Sequence, residues 1–71
     1  MIKNDNDWVH VYSSAYPHKV NIVKAVLADN SIKSVEVNKQ DSVYIMIGDI
    51  ELYVHRDDEL LASFLIKKNK L

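Results

Sequence analysis

The chain has 71 residues, with nine basic and ten acidic side chains and no cysteine. This length predicts a single domain with a thin core. The absence of cysteine excludes disulfides, thiolate catalysis and cysteine-based zinc sites, and it suits a reducing cytoplasm. Charges that nearly cancel argue against nucleic-acid binding, which usually needs a basic face. The longest apolar runs are too short to cross a membrane.

The first half of the sequence predicts a strand followed by a helix. Residues 1–7 are predicted to be disordered or extended, and the aromatic and β-branched residues 8–13 favour a strand. Pro17 fits the first turn of a helix that runs to about Asp29. Asn30, an acceptable left-handed cap, ends this helix together with Ser31. The residues on its predicted buried face are Val20, Val23, Val26 and Leu27.

The second half of the sequence predicts two strands and a closing helix within a single domain of residues 8–67. Residues 34–38 alternate, which predicts a strand with one face buried, and residues 50–55 alternate in the same way. Asp57 or Asp58 is predicted to cap the last helix, and residues 68–71 to form a basic tail. The apolar residues that this helix is predicted to bury are Leu60, Leu61, Phe64 and Leu65.

The connection between these two strands, residues 39–49, allows two interpretations. In one, residues 43–47 form a further short strand, and Gly48 and Asp49 make a two-residue turn into the next strand. In the other, the segment is a loop whose apolar side chains fold back onto the domain. The strand is slightly favoured. Tyr44, Met46 and Gly48 belong to this connection and are candidate residues for binding a partner or ligand.

The order of elements predicts the fold class. A strand, a helix, a strand, a short strand, a strand and a helix are typical of a two-layer α+β fold. A right-handed crossover makes the first two long strands parallel. We therefore expect a ferredoxin-like sandwich without its last strand, with both helices on one face of the sheet and an edge that invites a second chain. The predicted core comprises Val23, Leu27, Leu52, Val54, Leu61 and Phe64.

The sheet face opposite the helices is the strongest candidate site. Strict alternation places five residues on it, namely Trp8, His10, Tyr12, Tyr53 and His55. Glu36 and Glu51 are expected to supply a polar rim. One interpretation is an ordinary wet face, because the polar tips of Tyr and Trp tolerate water. The other is a contact surface, because aromatic residues are enriched where interfaces carry their binding energy.

Few residues in the sequence suggest chemistry. Ser13 and Ser14 precede the first helix and are predicted to cap it, and His18 is expected to be solvated. The sequence has no glycine-rich phosphate loop. His10 and His55 lie on strands that can be neighbours, but a metal site there still needs a third ligand. A metal or hydrolytic site at these two histidines is therefore a remote alternative, and no cofactor is expected.

Three segments carry a resemblance to a known family: residues 8–13, the helix and its exit over residues 20–32, and residues 38–42 followed by 48–54. Over roughly residues 8–66, the sequence resembles the small prokaryotic signal-transducing proteins, PII-like domains of unknown function. This resemblance implies a β-α-β-β-α ferredoxin-like core, a cytoplasmic setting and a regulatory or binding role. It also implies that residues 39–49 match the loop that meets ligands and partners in PII-like proteins. ATP binding is not carried over, because the nucleotide-binding signatures are missing.

These observations leave three hypotheses for function. The first is a non-enzymatic interaction domain that binds a protein partner or self-associates through the aromatic sheet face and residues 39–49. The second is a PII-like sensor of a small ligand. The third is a minor enzyme or metal site at His10 and His55.

Overall fold

A computed structural model describes residues 7–39 and 48–71 of the chain. Strand β1 spans Trp8–Ser14, helix α1 Pro17–Asp29, strand β2 Ser34–Asn38 and strand β3 Ile50–His55. A 3-10 turn over Arg56–Asp58 leads into helix α2, Glu59–Lys68. This order confirms the predicted α+β class. The predicted short strand over 43–47, and nearly all of the predicted extended N-terminus, lie outside the described residues.

The described strands form one sheet in the order β1-β3-β2. Strand β3 is central and pairs antiparallel with both neighbours, so β1 and β2 run parallel to each other without touching. The parallel direction of the first two long strands was predicted from the crossover through α1. A complete ferredoxin-like sheet has a fourth strand, and the three-strand order described here differs from it in that respect.

Both helices pack on the same face of the sheet, as predicted. Alternate residues of β3 point toward them, and Leu52 and Val54 have no exposed surface. Helix α1 contributes Val20, Val23 and Leu27 of its predicted buried face to the core, and α2 contributes Ala62 and Leu65. The fully buried or nearly buried core comprises Val20, Val23, Leu27, Ile32, Ile50, Leu52, Val54, Ala62 and Leu65.

The predicted buried face of α2 is wrong in three of its four residues. Leu60 is 86% exposed, Phe64 58% and Leu61 45%, and only Leu65 of that set is buried. The helix turns Ala62 toward the sheet instead, with no exposed surface. A small side chain lets the helix backbone approach closely. The sequence offers two overlapping apolar stripes on this helix, and packing of the tertiary structure chooses the one that contains alanine.

Both helices end in the same hydrogen-bonded motif. After α1, the N–H of Ile32 donates to the carbonyl of Leu27 at 2.9 Å, and that of Ser31 to Ala28 at 3.0 Å. The pattern is a Schellman motif, in which one residue takes a left-handed conformation. That residue is Ser31, with φ of 63°, rather than the predicted Asn30. Ile32 and Leu27, joined by this hydrogen bond, are both core residues, so the end of α1 is tied into the core.

The helix starts differ from the predicted capping. Ser14 Oγ accepts the N–H of Tyr16 at 3.0 Å, in the turn before α1, instead of capping the helix itself. Asp58 stands at the N-cap of α2, as predicted, but its side chain makes no capping hydrogen bond, and Asp57 lies within the 3-10 turn. The cap of the 3-10 turn is His55, whose Nδ1 accepts the N–H of Asp57 at 3.1 Å. An imidazole therefore caps the turn that leads into α2, a role that the sequence did not suggest for His55.

Candidate functional site on the open sheet face

The candidate site is the sheet face opposite the helices, called the open face, on which no described element packs. Residues directly opposite each other in an antiparallel pair share a face. In β1 and β3, Trp8 pairs with His55 and His10 with Tyr53. On the other side of β3, Val35 of β2 pairs with Tyr53. The open face is thus a continuous surface across all three strands, and four of its five predicted residues lie on it.

Tyr12 is the predicted open-face residue that the structure places elsewhere. The register shifts between His10 and Tyr12, because Val11 is an extra residue that forms a β-bulge. After the bulge, Tyr12 lies opposite Leu52 and packs against the core, on the helix side. Strict alternation could not foresee this, since no glycine or proline marks the bulge. The shift also puts Ser13 on the open face, opposite Glu51.

The valines of β2 are open-face residues that the sequence did not identify. Val35 and Val37 pair with Tyr53 and Glu51 and are 39% and 37% exposed. Glu36 therefore lies on the helix side, where its carboxylate pairs with Lys24 of α1 at 2.8 Å. It does not belong to the predicted polar rim. Alternation defines the two faces of a strand but does not say which one is covered.

A groove on the open face runs across the sheet. It has a volume of about 250 Å³ and is lined by Trp8, Val35, Val37 and Tyr53. All four side chains are apolar or aromatic, and together they come from all three strands. An exposed apolar surface that spans separate elements is more informative than isolated apolar residues, because scattered ones are common on any protein.

The two histidines of the open face contact aromatic rings. His10 meets the ring of Tyr53 edge-on, with centroids 5.7 Å apart, and Trp8 meets His55 at 6.1 Å in the same way. Such edge-to-face pairs stabilise a surface by roughly 0.5–1.5 kcal/mol each. Within the described residues, no cluster of three or more His, Cys, Asp or Glu is placed to hold a metal. The histidines order the aromatic surface by these contacts.

One end of the open face carries an ordered polar group. The hydroxyl of Tyr53 donates to Glu51 Oε1 at 2.8 Å, and Lys39 Nζ lies 3.4 Å from the same oxygen. The hydrogen bond from Tyr53 is the main cause that lowers the pKa of Glu51 below its ordinary 4.5, and Lys39 adds to it. The same bond raises the pKa of Tyr53 above its ordinary 10.0.

This hydrogen bond predicts a pH-dependent contribution to stability. Because the pKa of Glu51 is lowered in the folded state, its ionised carboxylate stabilises the fold above pH 4.5. This stabilisation is lost as the pH falls through the lowered pKa. Because the pKa of Tyr53 is raised in the folded state, its protonated hydroxyl stabilises the fold below pH 10.0. This stabilisation is lost as the pH rises through the raised pKa. In urea unfolding, the free-energy gap between wild type and Tyr53→Phe should be widest near neutral pH and narrow at both extremes. A Tyr16→Phe variant, at an exposed tyrosine away from the sheet face, should show no such narrowing. If the difference in free energy of unfolding between wild type and Tyr53→Phe does not change with pH, the stabilising role of the Tyr53–Glu51 hydrogen bond is contradicted.

The other end of the open face carries a second group of polar side chains, in which the carboxylate of Asp7 lies near both Arg56 and the imidazole of His55. His55 Nε2 lies 3.9 Å from Asp7 Oδ2, and Arg56 Nε lies 3.8 Å from Asp7 Oδ1. Asp57 Oδ2 lies 3.4 Å from His55 Nδ1. Both ends of the face therefore combine acidic and basic groups. At these distances and exposures such pairs contribute little to stability, but they set the electrostatic character of the rim.

The predicted residues of the 39–49 connection are only partly described. Tyr44 and Met46 lie outside the described residues. Gly48 is exposed, and its φ of 95° falls in the left-handed region that favours glycine. The N–H of Lys39 donates to the carbonyl of Asp49 at 3.0 Å, which brings the two ends of the connection together. The connection thus begins and ends beside the Glu51 end of the open face.

The helix layer offers two further surface features. Leu60, Leu61 and Phe64 form an exposed apolar patch on α2. A second groove, of about 200 Å³, is lined by Tyr12, Lys19, Ile22, Lys70 and Leu71. His18 is exposed beside Tyr16, as expected for a solvated side chain. Neither the patch on α2 nor the second groove brings together residues that the sequence assigns to one site.

Comparison of the chain with family models, curated proteins and solved structures gave no match. The resemblance to PII-like signal-transducing proteins therefore stays a prediction. Among the described helices, none is long and apolar enough to cross a membrane.

Proposed function

We propose that this chain is a non-enzymatic interaction domain whose contact surface is the open face. The observation that supports it most is the groove in which the half-buried Trp8 and Tyr53 lie beside the exposed Val35 and Val37. Tyr and Trp dominate the energetics of interfaces because a large ring buries much area for little loss of rotamer freedom.

The contacts of the chemically capable residues support a binding role over catalysis. His55 caps the turn before α2, and His10 packs on Tyr53. Ser14 accepts a backbone hydrogen bond, and Ser13 lies on the sheet opposite Glu51. Each of these side chains has a structural environment that differs from a nucleophile beside its base.

The size of the groove favours a protein surface over a small ligand. Small-molecule sites are usually concave and enclose about 300–1,000 Å³. The groove of about 250 Å³ is smaller and lies on an open sheet. The PII-like sensor is therefore the second candidate, and the same groove would be its site.

We also propose that the three strands and two helices are a ferredoxin-like arrangement without the last strand.

A matched pair of variants tests the proposal. Val35→Lys places a charge in the groove, and Leu60→Lys places the same charge on the exposed apolar patch of α2. Both sites are exposed, so both variants should stay folded by circular dichroism. Immobilised wild type and Leu60→Lys should capture the same proteins from the source cells, and Val35→Lys should lose them. Equal capture by all three would contradict the proposal.

A further inference from the structure

We infer that the turn from β3 into α2 is a pH-sensitive switch, in which protonation of His55 replaces a capping hydrogen bond by an ion pair with Asp57. The switch lies at the Trp8 end of the open face. It goes beyond the proposed function, since it operates whether or not that face binds a partner. Its support comes from two alternative partners of one imidazole nitrogen, from the carboxylates around the ring and from the contact of the ring with Trp8.

The hydrogen bond that caps the turn requires a neutral His55. Its Nδ1 accepts the N–H of Asp57 at 3.1 Å. A neutral imidazole has one nitrogen that accepts and one that donates, whereas both nitrogens of an imidazolium donate. Nδ1 therefore carries no proton while it caps the turn, and Nε2 carries the proton of the ring. A second proton on the ring removes the acceptor and sets two donors against each other.

The same nitrogen has a second partner, which suits the charged ring. Asp57 Oδ2 lies 3.4 Å from Nδ1, so the carboxylate and the N–H of one residue are both close to it. Asp7 Oδ2 lies 3.9 Å from Nε2. A protonated ring can therefore donate from each nitrogen toward a carboxylate, and such charge-assisted hydrogen bonds are stronger than neutral ones. The imidazole of His55 thus has a suitable partner in each charge state, which is the basis of a two-state switch.

Two cations also lie near this end of the face. Arg56 Nε lies 3.8 Å from Asp7 Oδ1, so Arg56 shares that carboxylate with His55. On the β2 side, the exposed Lys33 directly precedes Ser34, the first residue of that strand. Cations oppose a positive charge on the ring, and carboxylates favour it. Among the described residues, the charged groups within 4.0 Å of the ring nitrogens are the carboxylates of Asp7 and Asp57.

A change at His55 reaches the open face through Trp8. The two residues pair across β1 and β3, and their rings meet edge-on with centroids 6.1 Å apart. Trp8 in turn lines the groove. When the imidazole turns from the N–H of Asp57 toward its carboxylate, the edge-on contact changes, and the side of the groove that Trp8 forms changes with it.

Nuclear magnetic resonance of isotope-labelled protein tests the loss of the capping bond directly. A scalar coupling between the amide nitrogen of Asp57 and Nδ1 of His55 reports the hydrogen bond itself. It should be present at about pH 8 and lost at about pH 5, the limits between which histidine changes charge. The N–H of Ile32, which donates to the carbonyl of Leu27 at 2.9 Å, is a reference whose resonance should not move. A coupling that is absent at the higher pH, or that persists once the ring is charged, overturns the switch.

A matched pair of asparagine variants assigns the response to one histidine. His55→Asn keeps an acceptor that can cap the turn but does not titrate, since asparagine is a favoured N-cap residue. His10→Asn changes the other histidine of the open face, which contacts Tyr53. Trp8 is the only tryptophan of the chain, so its emission reports this end of the face. The emission should change between the two pH values in wild type and in His10→Asn but stay constant in His55→Asn, and any other pattern overturns the switch.

The movement of the ring is tested by the contact between His55 and Trp8. In the wild type, nuclear Overhauser cross-peaks between imidazole and indole protons should weaken from the higher to the lower pH. This measurement needs no variant, so it decides even if His55→Asn fails to fold. Asp57→Ala keeps the backbone N–H and should keep the coupling at the higher pH, but its cross-peaks should weaken less at the lower pH, because no carboxylate draws the ring away. Cross-peaks that are equal at both pH values in the wild type, or a coupling that is lost in Asp57→Ala, overturn the switch.

Discussion

Truncating Leu52 to alanine is expected to lower the free energy of unfolding by about 2–5 kcal/mol, while the same truncation of Phe64 is expected to cost less than about 1 kcal/mol. Leu52 is fully buried between the sheet and both helices, and its removal leaves a cavity among close-packed neighbours. Phe64 is 58% exposed on the outer side of α2 and leaves no cavity. The larger side chain should therefore have the smaller effect.

Urea unfolding of both variants would measure this difference. Small domains have a total stability of about 5–15 kcal/mol, so Leu52→Ala removes a large share of it. If that variant is too unstable to fold, Val54→Ala supplies a smaller truncation on the same buried face. If Phe64→Ala lowers the free energy of unfolding as much as Leu52→Ala does, α2 packs through its other apolar stripe, the one predicted from the sequence.

Replacing Tyr12 with glutamate is expected to destabilise the fold by about 2–4 kcal/mol, whereas His10→Glu should cost no more than the edge-to-face pair with Tyr53 that it removes, about 0.5–1.5 kcal/mol. The bulge at Val11 turns Tyr12 toward the core, where it lies opposite Leu52. A charge there loses apolar contacts and part of its hydration. His10 is exposed on the open face, two residues earlier in the same strand.

This pair of variants tests the register of β1 directly. Thermal unfolding in dilute solution, where any association through the open face is weakest, would separate effects on the fold from effects on association. With a bulge, the two glutamates lie on opposite faces and have different consequences. With strict alternation, both positions would lie on the open face, and the two variants would unfold at similar temperatures. Similar melting temperatures would therefore contradict the bulge.

The open face, which is the proposed binding surface, follows from the layering of the fold. The helices cover one side of the sheet, which leaves the other side to be covered by water or by another chain. On that side the contacts of Trp8 with His55 and of His10 with Tyr53 hold the rings in place. Side chains ordered before binding lose less freedom on association, which favours binding by a small surface.

The sequence by itself determined the class and order of the elements. Local periodicity identifies α1 through Val20, Val23 and Leu27, and strict alternation identifies β3 through Ile50, Leu52 and Val54, all of them buried as predicted. Trp8, His10, Tyr53 and His55 were assigned to the open face on the same grounds. These predictions hold because each depends only on the repeat of one element, 3.6 residues for a helix and two for a strand.

The tertiary structure decided what a local repeat leaves open. The bulge at Val11 moves Tyr12 to the core, and it depends on how β1 pairs with β3 rather than on the composition of β1. The valines of β2 reach the open face because pairing with β3 sets which side of that edge strand is covered. Helix α2 has two possible apolar stripes, and close approach to the sheet selects the one with Ala62. In each case, the energy of packing between elements chooses among arrangements that are locally equivalent.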